Sequence, residues 1–288
     1  MRSIEDRRDQ TEAARQARWP GTVAERKQEK TDRILLTIAG FGWATLELVN
    51  YYLCQSSQAW PAELEKRGLL FRQKIIVGAQ TKSRTQGNGH VMTILLLSDA
   101  GQRRVRYLND RIGNRIRMPS MGQARHDLLA FWAAAFAITE RTDMMQTREE
   151  LEIYSDQVMR SFREPYRTDE TYRPDASVYR DGSPILHIEV ERSKKKTGRE
   201  EYVFLRKLRR YTREGVETLI VTESQARATS ILELLRRAET TGVEKYYQND
   251  ETKCWFETGE MVRYRISSMV AIWDHESKTF THGFPHNC

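Results

Sequence analysis

The chain has 288 residues and a mass of 33.8 kDa, enough to bury a substantial core and to hold two domains of ordinary size. Lys and Arg number 47 against 40 Asp and Glu, giving a formal charge of +7 and a pI near 9.3; such an excess suits a polyanion, nucleic acid first, although it also keeps a protein soluble. Three unpaired-looking cysteines, Cys54, Cys254 and Cys288, argue against a disulfide framework, and the charged N-terminus and the shortness of the apolar run from Leu128 to Ile138 argue against secretion and membrane insertion, so a cytoplasmic location is expected.

Residues 1 to about 28 mix charges of both signs with little apolar content and read as a mobile charged arm. From Thr31, TDRILLTIAGFGWATLELVNYYL reads as a helix started at Thr31 and Asp32, a turn at Gly40 to Gly42, and a second helix opened by Thr45. A third helix is expected around Trp60 to Arg67, with Pro61 in its first turn and Gly68 just past its end. FRQKIIVGAQ and VMTILLLSDAGQRRV, separated by the polar tip TKSRTQGNGH, then predict two strands and a short helix. Three helices and a hairpin are the plan of a winged helix-turn-helix, assigned to residues 29–120. In that plan the third helix enters the major groove and the hairpin touches a backbone, which makes Lys66, Arg67, Lys82 and Arg84 candidate DNA contacts. Such folds also serve as dimerisation modules.

The segment GQRRVRYLNDRIGNRIRMPS, six arginines against one aspartate, reads as a basic connector into a second domain, residues 121–288. Within it MGQARHDLLAFWAAAFAITERT predicts a buried helix, apolar on nearly every side, and TREELEIYSDQVMRSFRE an amphipathic helix or a helix leading into a strand.

The chemistry is concentrated in YRPDASVYRDGSPILHIEVERSKKK, Tyr172 to Lys196, which reads as strand, tight RDGS turn, strand. Side chains alternate along a strand, so Glu189 and Glu191 share one face while Ile188 and Val190 take the other, and the hairpin brings Asp175 beside the acidic face. Three converging carboxylates repel one another unless a divalent cation joins them, and an all-oxygen set of this kind, Asp175, Glu189 and Glu191, suits Mg²⁺ or Mn²⁺. Such a metal polarises a phosphate oxygen and lowers the pKa of a bound water, while a lysine stabilises the developing charge. Lys195 has the parity of Glu189 and Glu191 if the strand runs on, with Lys194 and Lys196 beside it as candidate DNA contacts.

Pro174-Asp175, then Glu189-Val190-Glu191 fourteen residues after the aspartate, then a lysine, resembles the core of the PD-(D/E)XK nucleases. The lysine that family carries two residues after its first strand acid is replaced here by Glu191. The shifted form, ExE with a lysine four residues on, is similar to the MOBC relaxases of mobilisable plasmids, which also carry an HxL-type helix upstream, matched here by Arg125-His126-Asp127-Leu128-Leu129. The resemblance covers roughly residues 30–225. It implies an N-terminal winged helix before a restriction-endonuclease-like α/β domain, α+β overall. It also implies a catalytic part for His126, metal-dependent nicking at a plasmid transfer origin, and relaxosome accessory proteins and a coupling protein as partners. A catalytically inert replication or relaxosome DNA-binding protein, and a defence or transposon-end endonuclease, are the alternatives.

From Arg192 to Arg213 there are ten basic residues and two acidic ones. The helix YVFLRKLRRYTREG sets Arg206, Arg210 and Arg213 on one side, suited to a phosphate backbone, and offers Lys207 as a second active-site cation. VETLIVTES then predicts a buried strand and QARATSILELLRRAETTG a helix. Tyr166, Tyr172, Tyr179, Tyr202 and Tyr211 lie close enough in sequence to leave a tyrosine nucleophile open. His282, His286 and Cys288 have zinc-ligand chemistry but no evident fourth ligand, and read as a tail.

Overall fold

A computed structural model describes residues 21–53, 59–77, 90–112, 123–140, 151–162, 173–192, 197–249, 251–252, 254–274 and 279–285. The first helix, α1 (Val23–Phe41), starts inside the stretch read as an arm. Thr22 and Glu25 cap each other reciprocally, Glu25 N–H donating to Thr22 Oγ1 at 3.2 Å and Thr22 N–H to Glu25 Oε2 at 2.7 Å, and this capping box moves the start upstream of the expected Thr31 and Asp32. Thr31 is instead mid-helix and buried, its hydroxyl donating to the Lys27 carbonyl.

Gly42 closes α1 with φ 86°, and Thr45 caps α2 (Leu46–Tyr52) as expected, accepting from Leu48 N–H. Next come α3 (Trp60–Lys66), with Pro61 in its first turn, the antiparallel pair β1 (Leu70–Val77) and β2 (His90–Leu97), and α4 (Asp99–Leu108), which occupies the first half of the expected connector. A bridge from Ala44 to Leu95 ties the loop before α2 to β2.

The remainder builds a mixed sheet of six strands in the order β10-β9-β6-β5-β4-β3: β3 (Leu151–Ser155), β4 (Ala176–Arg180), β5 (Ser183–Val190), β6 (Glu217–Thr222), β9 (Met269–Asp274) and β10 (Thr279–Pro285). β3, β4 and β5 are antiparallel, β5, β6 and β9 parallel, and β10 antiparallel to β9. The protein is therefore of mixed α/β class. Asp181 (φ 48°) and Gly182 (φ 81°) make the turn between β4 and β5, the two positive φ values that an Asp-Gly hairpin turn requires.

Helix α5 (Ala124–Glu140) covers one face of the sheet; α7 (Gly198–Arg213) and α8 (Gln225–Thr240) cover the other. The segment expected as an amphipathic helix, or as a helix leading into a strand, is among the described residues β3 followed by one turn, α6 (Asp156–Met159); pairing with β4 overrides the helical periodicity. A second hairpin, β7 (Val243–Gln248) with β8 (Trp255–Val262), stands outside the main sheet against α7.

Beyond its polar first turn, from Leu129 to Ile138, helix α5 is apolar all round because it is covered on nearly every side. Phe131 meets Phe41 and Trp43 of the front segment, Trp132 stacks on Trp273 of β9 and meets Tyr51 of α2, and Phe136 meets Phe280 of β10. One apolar cluster thus runs from α1 through α5 into the sheet, and packing crosses residue 120 without a break. Gly40 marks the closest approach: a Cβ there would stand 2.0 Å from the carbonyl oxygen of Ile153 in β3. Beside it Ser155 donates to the Phe41 carbonyl at 3.0 Å.

Candidate active site

Asp175 ends the loop before β4, and Glu189 lies near the end of its antiparallel neighbour β5, so the pairing sets both at the same edge of the sheet. Asp175 N–H donates to the Ile188 carbonyl at 3.0 Å, and Val190 N–H donates to Asp175 Oδ2 at 2.7 Å. Two backbone bonds therefore fix this carboxylate against β5. Alternation then does what the sequence predicts: Ile188 and Val190 join the apolar cluster under α5, while His187, Glu189 and Glu191 turn to the face of α7 and α8.

Glu189 is 3% exposed. Lys207 of α7 reaches it at 2.6 Å (Oε1) and 2.8 Å (Oε2), and the Tyr211 hydroxyl, one turn on, donates to Oε1 at 2.9 Å. Burial pushes Glu189 up to about 7, with Asp175 adding in the same direction and Lys207 pulling down. Lys207 is held above its ordinary value, because the charges of Glu189 and Asp175 outweigh the desolvation that would lower it. It is a firm cation facing two acids.

His126 opens α5 from the other side, its Nε2 3.4 Å from Asp175 Oδ2 and its Nδ1 3.4 Å from Asp127 Oδ1. Burial alone would lower its pKa, but the two aspartates raise it to about 10, so the ring is an imidazolium at neutral pH. The same contact, against the effect of burial, holds Asp175 below its usual range. Glu191 takes a different partner, the buried guanidinium of Arg227 on α8, at 3.4 Å. This is a long contact for an ion pair, and Glu191 still lines, with Glu189 and Lys207, one cleft of about 510 Å³ under α7.

The structure thus brings Asp175, Glu189, His126 and Lys207 together, with Glu191 alongside and tied to α8. Lys195, Lys194, Lys196, Lys82 and Arg84 lie outside the described residues, as do Tyr166, Tyr172 and the side chains of His282, His286 and Cys288. Of the front-segment candidates, Lys66 is exposed at the end of α3, and Arg67, also exposed, donates to Thr31 Oγ1 at 3.1 Å. Arg206, Arg210 and Arg213 lie together along α7, bordering a second groove. Tyr179, Tyr202 and Tyr211 are buried, and burial raises the pKa of Tyr179 to about 12 and that of Tyr211 further.

Sequence reasoning missed several neighbours. Asp127 follows His126 directly, and burial raises its pKa. Asp156 starts α6 after β3, its N–H donating to the Asp175 carbonyl at 2.9 Å, while its carboxylate is held by the buried Arg173 at 3.0 Å. The Ser-Asp pair after a strand, a helix-start signal, was the available clue. His187 bonds Ser177 Oγ through Nδ1 at 2.7 Å, packs on the Tyr211 ring at 4.3 Å, and is kept neutral by burial, its pKa lowered to about 3.

No protein-family model, no curated protein and no solved structure matches the chain. Among the described residues no group of three or more His, Cys, Asp or Glu is arranged as a ready metal cage, and no helix is long and apolar enough to cross a membrane. Mg²⁺ and Mn²⁺ do not need such a cage: one or two carboxylates suffice when water and substrate phosphate fill the other positions. Asp175 and Glu189, hard oxygen donors at one sheet edge, fit that requirement.

Proposed function

We propose that the chain is a metal-dependent DNA endonuclease acting as a plasmid mobilisation relaxase, which nicks DNA at a transfer origin. The observation that carries the nuclease part is the meeting of Asp175, Glu189 and Lys207 at one sheet edge, with His126 closing the far side. Apart from the one-turn α6 between β3 and β4, the order helix, three antiparallel strands, helix, strand, from α5 to β6, supports a PD-(D/E)XK core. Three helices and a hairpin before it support a winged helix. The relaxase assignment and its transfer-origin target rest on the sequence resemblance.

Asp175 and Glu189 would hold Mg²⁺ or Mn²⁺, with Glu191 added if it leaves Arg227. When bound, the metal supplies Lewis acidity toward a phosphate oxygen and acidifies water. Lys207, already cationic and held toward both acids, stabilises the negative charge that grows on the phosphate as the bond to the leaving oxygen breaks. His126 as an imidazolium holds a proton 3.4 Å from Asp175, where it can be passed to a departing alkoxide. The Asp175 carboxylate is kept ionised by that same ring. The three described tyrosines of the motif region are buried, which favours hydrolysis over a tyrosine-linked intermediate at those residues.

A second reading has its own support: Lys207 and Arg227 neutralise Glu189 and Glu191 without any metal, as a domain that only binds DNA would require. Supercoiled plasmid carrying the cognate mobilisation region, incubated with Mn²⁺ or Mg²⁺, separates the two. The nuclease reading expects open circles, reduced roughly 10²-fold or more by Asp175→Ala or Glu189→Ala while DNA binding survives. Tight binding with no relaxation under any divalent metal assigns the protein to the binding class.

A further inference from the structure

The two acids of the Glu189-Val190-Glu191 run are held in unlike ways. Glu189 has three short contacts, two to Lys207 at 2.6 and 2.8 Å and one from the Tyr211 hydroxyl at 2.9 Å. Glu191, the residue after β5, is also buried, yet its cation Arg227 stands off at 3.4 Å, Nη2 to Oε2. The main chain at Glu191 is fixed, its N–H donating to the Val221 carbonyl of β6 at 2.8 Å. Its carboxylate can therefore change partner by side-chain rotation alone, with the strand staying in place.

Arg227 occupies an unfavourable position for a cation. It is 7% exposed and lies in the first turn of α8, its N–H donating to the Ser224 cap at 3.2 Å. That end of a helix carries positive partial charge and favours anions, and α8 has no acid in its first turn. The buried Nε of Arg227 has no hydrogen-bond partner. Both features disfavour the guanidinium there, and Glu191 is the carboxylate that answers it. Glu191 also lines the cleft of Glu189 and Lys207, so it stands between two cations: Arg227, and a divalent ion held by Asp175 and Glu189. Turning to the second leaves the first buried without its acid, a loss that opposes metal binding.

We propose that Arg227 is a positioning residue that withholds Glu191 from the metal site, so that removing its charge makes the site bind a divalent cation more tightly. The cation itself rests on the nuclease reading above; the competition for Glu191 rests on the pair it makes with Arg227. An arginine that merely anchored α8 would do the reverse, its loss loosening the fold and weakening the site or leaving it unchanged.

The test is Mn²⁺ binding by the full chain without DNA, followed by electron paramagnetic resonance. Arg227→Gln, which keeps an N–H donor for Glu191 and removes the charge, should tighten Mn²⁺ by about 10- to 100-fold, the size of effect that partners of a metal ligand ordinarily exert. Arg227→Lys restores the charge and should bind near the native affinity. Glu191→Gln should weaken Mn²⁺, and adding Arg227→Gln to it should recover little, because no carboxylate is left to release. The proposal is overturned if Arg227→Gln leaves the affinity unchanged or lowers it, or if its gain persists in full beside Glu191→Gln, where Arg227 would act only as a distant charge. The native chain gives an independent reading: the Arg227 Nε–H resonance, assigned by its absence from Arg227→Lys, should shift over the Mg²⁺ concentrations at which the site fills. A resonance that stays in place while Mg²⁺ binds overturns the proposal even where Arg227→Gln fails to fold. If neither the native chain nor Arg227→Gln binds Mn²⁺, the metal-dependent nuclease reading falls and this inference with it; Mn²⁺ binding indifferent to Arg227 overturns this inference alone.

Discussion

The two faces of the central sheet are built from the same strands and do opposite things. Under α5, β5 contributes Leu186, Ile188 and Val190 to an apolar cluster in which all six alanines of α5 are almost wholly buried. Toward α7 and α8 the same strand contributes His187, Glu189 and Glu191, each met by a specific partner: Ser177, Lys207 with Tyr211, and Arg227. The first face is held by area removed from water, which is non-directional. The second is held by matched charges and hydrogen bonds, and a buried carboxylate persists there only because its partners offset desolvation. A helix that only fills space can be apolar all round; one that answers a carboxylate must place its lysine correctly.

Breaking the apolar face should have the largest effect. Phe131→Ala leaves a hole where α5 meets Phe41 and Trp43 and should lower unfolding free energy by about 3–5 kcal/mol, read from urea denaturation; a loss under about 1 kcal/mol would deny α5 its place as the joint between the front helices and the sheet. Breaking the charged face should cost somewhat less but leave a sharper signature. Lys207→Met leaves the buried Glu189 without its cation while the Tyr211 hydroxyl still donates to it, and because the lysine side chain is 19% exposed the expected loss is about 2–3 kcal/mol, below the range for a fully buried pair. Adding Glu189→Gln should recover most of it, whereas additive losses would mean that the two residues are not coupled.

The remaining effect is graded with pH and is small over any single unit. His187 has its pKa lowered from 6.5 to about 3 by burial and by Lys207. The unfolded chain therefore takes up a proton below about pH 6.5 that the folded chain refuses, so the stability is complete above that pH and declines as pH falls toward 3, by about 1 kcal/mol per unit. His187→Asn, which keeps a hydrogen-bonding partner for Ser177, should flatten that part of the acid limb in guanidinium titrations. An unchanged slope would show that the ring is protonated inside the fold.

Much of this was legible locally. Thr45, Pro61, Gly68 and the Asp181-Gly182 turn each fix a boundary through their own backbone preferences, and alternation alone put Glu189 opposite Ile188. Where local signals competed, the reading slipped: Thr31 and Asp32 form a credible cap, but the Thr22–Glu25 box starts the helix earlier, and the helical rhythm of Leu151–Ser155 yields to pairing with β4. The β7–β8 hairpin was not read, because strands exposed on both faces lack clear apolar alternation, as Trp255–Val262 illustrates.

The sequence by itself determined the class of the fold, the hairpin that carries Asp175 and Glu189, and the basic ridge of α7, because turns, caps and alternation act over a few residues. Only the tertiary structure decided which cation answers Glu189 and which answers Glu191. Lys207 and Arg227 sit 18 and 36 positions away from their acids, on helices returned over the sheet by the β5–α7–β6 crossover and its continuation through α8. Strand parity carries no information across such a connection; the packing of α7 and α8 on the sheet supplies it.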